Sequence, residues 1–238
     1  MGPGAPVTPS AKRLRSRSSK DLAGWFGGAA PLRSPPRARR RNTPTVVRVT
    51  KQQAAENRSR ILTAASRLFR ERGLSGVGVD ALTEAAGLTH GSLYSQFGSK
   101  ERLAEEALRE AMSGSGLARI AEAPDGKDLA AVIDGYLSAI HRDRVGKGCA
   151  FAALGCEMAR QPASLRQVFT EGLKRAAARL ARLLPDKDQA SRDDRALALL
   201  SGLVGALVLA RAVDDPALSD RFLAASAAAL RDGYTDHS

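Results

Sequence analysis

Apolar residues recur at helical spacings along the chain from Lys51 onward. Ile61, Ala65 and Leu68 follow one another at intervals of four and three, which is the pattern of an amphipathic helix. Gly73 comes shortly afterwards, and glycine is the residue that most often ends a helix. We therefore predict a first helix that begins near Lys51 and ends at Gly73.

Three shorter helical patterns follow, each bounded by a glycine or by a good capping residue. We predict a second helix over Val79–Ala86, a third over Thr89–Phe97 and a fourth from Ser99 to about Met112. A turn at Gly87 separates the second helix from the third. Two short helices joined by such a turn are typical of a helix-turn-helix, which places its second helix in the major groove of DNA.

Five further helical patterns follow a linker marked by the glycines and the proline between Gly114 and Gly126. We predict these helices at Leu129–His141, Cys149–Arg160, Ala163–Leu184, Gln189–Val213 and Asp214–Leu230. No strand pattern is found, so the expected fold class is all-α, with an N-terminal three-helix DNA-binding domain and a larger helical domain after it. The longest apolar run, Ala196–Ala210, is shorter than the roughly 20 residues of a membrane span, and we expect it to be a buried helix.

The composition agrees with a helical protein. Hydrophobic residues make up 43% of the 238 residues and aromatic residues only 4%, whereas strands favour aromatic and β-branched residues. The net charge of +12 would suit a polyanionic partner. However, residues 1–50 hold eleven Lys and Arg against one acidic residue, a net of +10. Most of the charge lies in this segment, so a DNA-binding function has to rest on the helix-turn-helix.

Residues 1–50 are rich in Pro, Gly, Ser and Arg and lack a sustained hydrophobic period, so we predict a basic, disordered tail. Three interpretations remain open. The tail could bind DNA phosphates without sequence preference, or it could be an Arg-rich transit peptide, although no signal-peptide pattern is seen. Alternatively, translation could start at Val46, Val47 or Val49, and the tail would then not be made.

The two cysteines give little indication of metal binding or catalysis. Cys149 and Cys156 are seven residues apart on a predicted helix, about 10 Å and too far for a disulfide. Two thiols without clustered histidines do not indicate a zinc site, and we expect small core residues in a reducing cytoplasm. A nucleophile pair of Cys149 with His141 is conceivable, but no phosphate-binding glycine loop and no HExxH motif occur. We predict no catalytic residue, no metal and no cofactor.

Residues 57–103 resemble the N-terminal domain of TetR-family transcriptional regulators. The matching positions are Ile61, Ala64, Ala65, Leu68, Phe69, Gly73, Ala86, Gly87, Leu88, Leu93, Tyr94, Phe97 and Lys100. By helix order the resemblance extends over about residues 51–232. It implies the following division of the chain: a helix-turn-helix domain over 51–98, a connecting helix over 99–116, an effector-binding and dimerisation domain over 117–232, and a tail over 233–238.

The resemblance also implies a function. Such a regulator is a cytoplasmic bacterial repressor that binds a palindromic operator in double-stranded DNA as a homodimer, and a small molecule releases it. No membrane association is implied. A non-specific or architectural DNA-binding protein without an effector is the alternative. The operator, the target genes, the effector and the choice between repressor and activator stay open.

The start of the predicted third helix would face the bases. By the resemblance, Thr89, His90 and Ser92 match positions that face base edges, and Gly91 matches a position where the chain passes close to the DNA. Hydroxyl and imidazole groups can pair with base edges in the major groove.

Other positions would contact the DNA backbone. Tyr94 and Lys100 match phosphate-contacting residues, and Gln96 stands where another backbone contact is common. Val79 departs from the family pattern, in which a threonine at this position donates to a phosphate, so that contact is in doubt.

The resemblance places an effector pocket among the later helices. Small-molecule pockets combine apolar side chains with a few polar groups, and the predicted pocket residues are Tyr136, His141, Cys149, Phe151, Cys156, Glu157, Met158 and Phe169. The neighbouring Lys147 could lower the pKa of the Cys149 thiol and make it reactive.

The resemblance assigns the dimer interface to the last two long helices. The helix over Gln189–Val213 supports this independently, because it is apolar nearly all round and needs a cover. The predicted interface residues are Leu199, Gly202, Leu203, Gly205, Ala206 and Phe222.

Overall fold

The computed structural model describes residues 50–114, 117, 128–184 and 188–235. The predicted tail, except for Thr50, and most of the linker between Gly114 and Gly126 lie outside these ranges. Every regular element in the described ranges is helical, which confirms the all-α prediction. The helices are α1 (Lys51–Arg72), α2 (Val79–Ala86), α3 (His90–Phe97), α4 (Lys100–Ser113), α5 (Leu129–Tyr136), α6 (Ala139–Asp143), a 3₁₀ turn (Val145–Lys147), α7 (Ala150–Met158), α8 (Ala163–Ala181), α9 (Gln189–Ala212) and α10 (Pro216–Thr235).

Helix α1 forms as predicted because its sequence supplies both ends and one apolar face. The hydroxyl of Thr50 accepts a hydrogen bond from the backbone N–H of Gln53 at 3.1 Å, which satisfies one unpaired donor at the helix start. Ile61 and Phe69 are buried on the inner face. Gly73 ends the helix at φ +76°, a conformation that L side chains rarely adopt.

The helix-turn-helix has the predicted boundaries. Gly87 takes the left-handed conformation, φ +63°, and its N–H bonds the carbonyl of Glu84 at 2.9 Å. The N–H of Leu88 bonds the carbonyl of Thr83, also at 2.9 Å, so the last carbonyls of α2 are satisfied. Leu82 and Leu93 are fully buried. Their packing against α1 fixes the orientation of α3.

Helix α4 connects the DNA-binding part to the rest of the chain. The hydroxyl of Ser99 accepts from the N–H of Arg102 at 3.2 Å and starts the helix. Leu103 and Ala107 are fully buried, and the helix packs on both α1 and α8. A displacement of α4 would therefore move the base of the helix-turn-helix.

The predicted helix over Leu129–His141 is in fact two helices. Helix α5 ends at Tyr136, and Ser138 begins α6 by accepting from the N–H of His141 at 3.2 Å. The Ser138 hydroxyl donates to the carbonyl of Gly135 at 2.9 Å. Serine competes for backbone hydrogen bonds in this way and favours helix starts over helix interiors. The prediction of one continuous helix was wrong for this reason.

Helix α9 lies between α8 and α10. Leu199, Leu203 and Leu207 are fully buried in these contacts. Helix α10 starts at the predicted Asp–Pro signature, where Asp215 accepts from the N–H of Ala217 at 2.9 Å. It continues to Thr235, beyond the predicted end at Leu230.

The whole of α9 is more apolar than its central run indicated. Over 18 residues its mean hydropathy reaches 1.6, so by length and composition alone α9 could span a membrane, although its central run Ala196–Ala210 is shorter than a span. Only 39% of that window is buried within the chain. A helix in a protein core can be equally long and apolar, and α9 packs along α8 and α10.

Candidate DNA-binding surface and effector cleft

The first turn of α3 presents the predicted base-facing residues at the surface. Thr89, His90 and Gly91 are exposed, and Ser92 is half-buried. The Thr89 hydroxyl lies 3.4 Å from the N–H of Ser92, at the helix start, and 3.3 Å from the Ser92 hydroxyl. These short hydroxyls and the free N–H groups of a helix start are suited to hydrogen bonds with DNA.

Gly91 leaves room that this chain does not fill. A Cβ added there would meet only the Thr89 hydroxyl oxygen, at 3.8 Å. Packing within the described chain therefore does not require glycine at this position. A requirement for glycine would have to come from a molecule that approaches the helix from outside, as the resemblance implies for DNA.

The Nε2 atom of His90 contacts a carboxylate oxygen of Asp80 in α2. Both side chains are more than half exposed. This contact connects the two helices of the helix-turn-helix at the outer surface. The sequence argument missed Asp80, because a carboxylate is unexpected on a surface that faces phosphates.

Two of the residues predicted to contact the DNA backbone are accessible at the surface. Tyr94 is 49% exposed. Lys100 is the first residue of α4 and is half-buried.

Val79 is half-buried against the core, and Gly78 before it supplies no side-chain cap. The start of α2 therefore lacks a side-chain donor for a phosphate.

Gln96 takes part in the internal support of α3 through its backbone. Its carbonyl accepts from Arg58 Nη1 at 2.6 Å. The same guanidinium pairs with Glu106 and lies 4.4 Å from the centre of the Phe97 ring. Arg60 likewise donates to the carbonyl of Ala86 at 2.5 Å. The sequence argument missed both arginines, because their partners are 26 to 48 residues away.

A cleft of about 970 Å³ lies where α1, the end of α4, α5, α6 and the 3₁₀ turn meet. Tyr136 and His141 line it, as predicted for an effector pocket. Its other charged or large lining residues were not predicted, and these are Arg70, Leu117, Val132, Ile140, Arg144 and Lys147.

Six of the eight predicted pocket residues lie outside this cleft, and four of them pack in or against the core. Cys149 and Met158 are buried core residues. Phe151 is buried against Phe169, with ring centres 5.3 Å apart, and neither ring lines the cleft. The prediction was wrong for these four because helical spacing could not distinguish core positions from cleft positions.

The two thiols do not share an environment. Complete burial raises the pKa of the Cys149 thiol, so the proposed reactive cysteine is contradicted. Cys156 is exposed, not a core residue, and lies outside the cleft. A nucleophile pair with His141 is contradicted as well, because His141 Nε2 accepts the backbone N–H of Cys149 at 3.0 Å.

His141 is held as a neutral imidazole. Its Nδ1 lies 2.6 Å from the carbonyl of Tyr136, which can only accept, so Nδ1 carries the proton. Its Nε2 accepts from Cys149 and has none. Burial lowers the pKa of His141, and the nearby Arg211 lowers it further. His141 therefore holds the backbone of Tyr136 and of Cys149 in place beside the cleft.

Glu157 was predicted in the pocket, but it connects two parts of the fold. Its Oε2 accepts from the backbone N–H of Leu74, just after α1, at 3.1 Å. A Cβ on Gly73 would collide with this carboxylate. Glu157 therefore connects α7 to the DNA-binding part of the chain.

Arg70 makes a second such contact. From the last turn of α1, its Nε donates to the carbonyl of Gly146 at 2.8 Å. Its Nη1 donates to the carbonyl of Ala111, in the last turn of α4, at 3.3 Å. Burial lowers the pKa of Arg70, but an arginine remains charged.

Most predicted dimer residues are used within the chain. Leu199, Leu203 and Ala206 are buried in the single chain, so the prediction was wrong for them as contact residues. Gly202 packs against Leu230, which a Cβ would approach to 3.0 Å. Gly202 therefore allows a close approach between α9 and α10 of the same chain.

A different face of α9 is available to a partner. A Cβ on Gly205 would meet nothing within 4 Å. Leu197 and Leu209 are 52% and 49% exposed, and Ser201 is also exposed. Phe222 of α10 is half-buried against the core. The sequence identified the apolar helix but not which side of it faces outward.

Two family profiles match the chain. The profile of bacterial regulatory proteins of the tetR family matches residues 61–107. The profile of the tetracyclin repressor-like C-terminal domain matches residues 127–226. The first segment contains the helix-turn-helix. The second contains α5 and α6, which line the cleft, and the apolar helix α9.

Curated relatives match over the DNA-binding part. The chain is 41% identical over 61 residues to the HTH-type transcriptional repressor KstR2 of Mycolicibacterium smegmatis, a match that covers 26% of this chain and 30% of the relative. It is 36% identical over 86 residues to the HTH-type transcriptional regulator TtgR of Pseudomonas putida, over 35% of this chain and 40% of the relative. The matches thus span less than half of each relative.

Solved structures match over most of the fold. A TetR transcriptional regulator from Chloroflexus aurantiacus superposes with a TM-score of 0.64 at 23% identity. The match covers 78% of this chain and 98% of that one. At this identity the likeness establishes the fold.

Proposed function

Because the chain belongs to the TetR family, we propose that it is a sequence-specific DNA-binding transcriptional regulator that acts as a homodimer in the bacterial cytoplasm. We further propose that it represses transcription until a small molecule enters the cleft. The observation that carries the proposal is the exposed first turn of α3, with Thr89, His90 and Gly91 at its surface. The named relatives are transcriptional regulators, and we assign no reaction to this chain.

The arrangement of α3 supports base reading by the predicted residues. Thr89, His90 and Ser92 are expected to face base edges, and Gly91 lets the helix approach closely. Tyr94, Gln96 and Lys100 flank them and are expected to contact phosphates. The Arg58 bonds to the back of α3 hold the helix in place before DNA binds.

The open face of α9 supports a homodimer. A symmetric dimer buries the same surface of both copies, and Leu197, Gly205 and Leu209 supply an apolar surface with room for close approach. Two recognition helices one DNA turn apart, roughly 34–36 Å, would then match a palindromic operator.

The proposal is tested by fluorescence anisotropy of the full chain on DNA from upstream of its own gene, with scrambled DNA as competitor at physiological salt. We expect tight binding with two chains per site that scrambled DNA does not displace. Equal binding to scrambled DNA would refute sequence-specific regulation. It would support the architectural alternative, which the net charge of +10 in residues 1–50 favours.

A further inference from the structure

We propose that the cleft takes a small molecule with an apolar body and an anionic head, and that Arg70 transmits its binding to the DNA-binding helices. This inference rests on the proposed function in one respect, namely that the cleft is the effector site. It adds the chemical class of the effector and the residue through which it acts.

The body of the ligand would lie on an apolar wall. Leu117, Val132 and Tyr136 line the cleft from within the core. Ile140 also lines it and is 65% exposed, the largest exposure of any large hydrophobic side chain in the described ranges. A ligand that covers Ile140 removes this apolar surface from water, which favours binding.

The charges around the cleft favour an anion. Arg70, Arg144 and Lys147 line it, and no carboxylate is among its described lining residues. Glu71 and Asp143, which line a neighbouring pocket together with Arg144 and Lys147, are paired with Arg67 at 2.9 Å and with Arg142 at 2.7 Å. Three cations that converge on one apolar cavity attract a carboxylate or phosphate and disfavour a cation.

Arg70 is bound in a way that an anion can replace. Its half-buried guanidinium donates only to the neutral carbonyls of Gly146 and Ala111 among the described residues. Arginine binds a carboxylate or phosphate through two parallel bonds that are stronger than bonds to neutral carbonyls. An anionic head that reaches Arg70 would therefore compete with both carbonyls.

The consequence of this exchange reaches the DNA-binding part directly. Arg70 belongs to α1, Ala111 to α4 and Gly146 to the 3₁₀ turn, so one side chain joins three elements. Gly146 packs so closely on α1 that an added Cβ would collide with Glu71. Transfer of Arg70 to a ligand loosens the contact of α1 with the turn and with the end of α4, and the base of the helix-turn-helix can then shift.

The class of ligand is tested first without DNA. We would titrate the full chain by calorimetry with decanoate, 1-decanol and decyltrimethylammonium, and with 2-naphthoate and 2-naphthylmethanol. We expect each carboxylate to bind about tenfold or more tightly than its alcohol, as bonds to a charged group imply. The cation should bind weakest. Equal affinities within the pairs, a preference for the cation, or no binding of any probe would each overturn the proposal.

The role of Arg70 is tested with two sets of variants. The double variant Arg144→Gln and Lys147→Gln should bind carboxylates more weakly. A saturating carboxylate should still release this variant from the operator. In Arg70→Gln, a saturating carboxylate should no longer change operator affinity. Arg166→Gln, which removes an exposed charge on α8, is the control and should respond like the wild type. If circular dichroism shows that Arg70→Gln is folded and a saturating carboxylate still releases this variant from the operator, the transmitting role is refuted.

The two proposals fail in different ways. If the wild-type chain does not bind its operator, the proposed function fails, while calorimetry still decides the ligand class. If it binds the operator but the carboxylates show no preference, the inference about the cleft fails and the regulator remains.

Discussion

The carboxylate of Glu157 accepts a hydrogen bond from the backbone N–H of Leu74, 83 residues earlier in the chain, at 3.1 Å. It joins α7, in the later part of the chain, to the turn that follows α1. Glu157 therefore connects the turn after α1 to α7, while Arg70 connects α1 to the 3₁₀ turn at the cleft.

Loss of the Glu157 contact should destabilise the fold. Glu157→Ala leaves the partly buried N–H of Leu74 without its partner, which costs about 1–3 kcal/mol of unfolding free energy. Glu157→Gln keeps a carbonyl acceptor and should lose less. Urea unfolding followed by circular dichroism measures both, and equal stability of Glu157→Ala and the wild type would contradict the contact.

Asp80 should influence base preference through His90. The Asp80 carboxylate contacts the imidazole of His90, so we expect Asp80→Ala to change the preferred base at the same operator position as His90→Ala. Selection from a randomised DNA library identifies that position. If Asp80→Ala changed affinity equally on all sequences, the carboxylate would act only through its charge.

Lys100 should contribute affinity without specificity. Lys100→Ala is expected to weaken binding similarly on all DNA sequences and to reduce the slope of log affinity against log salt by about 1, because one phosphate contact is lost. Lys174→Ala removes an exposed lysine of α8 and is the matched control. An unchanged salt slope in Lys100→Ala would refute the proposed docking.

The open face of α9 should be required for dimerisation. Leu197→Glu places an unpaired charge in the proposed interface, which costs several kcal/mol, so the variant should sediment as a monomer. Ala178→Glu, at an exposed position of α8, should remain dimeric. Sedimentation velocity distinguishes the two, and a dimeric Leu197→Glu would place the interface elsewhere.

The buried imidazole of His141 should make stability depend on pH. Burial lowers its pKa in the folded chain below the ordinary value of 6.5. Below about pH 6.5 the unfolded chain then binds more protons than the folded chain, so stability falls as pH falls.

We expect this loss to reach at most about 1.4 kcal/mol per pH unit from one group. It should begin near the ordinary pKa and end near the lowered one. His141→Gln should be less stable at pH 7.5 and should show a smaller slope. Urea unfolding at several pH values between 5.5 and 7.5 measures this dependence of stability on pH for both chains. A wild-type slope equal to that of His141→Gln would contradict the neutral imidazole.

Local sequence signals were sufficient for the DNA-binding part. Thr50, Gly73, Gly87, Thr89 and Ser99 mark helix ends through bonds to residues within a few positions. Apolar spacing then determined which face of each helix is buried. The position of the start of α3 followed from these signals, because a helix end and its face are set within one or two turns. The base-facing roles of its residues came from the family resemblance.

The cleft could not be found in this way. Tyr136 and His141 were predicted, but Arg70 lies on α1, and its partner Gly146 is 76 residues away. Glu157 was placed in the pocket because it is a polar residue on an apolar helix. Its actual partner, Leu74, has no signal in the sequence around either residue.

The sequence by itself determined the all-α fold, the helix-turn-helix and the presence of an apolar helix that needs a cover. Only the tertiary structure decided that Leu199 and Leu203 are covered within the chain while Leu197 faces outward. It also decided which cations converge on the cleft. The physical reason is that helix formation depends on neighbours within about four residues, whereas burial depends on packing between helices that are distant in the chain.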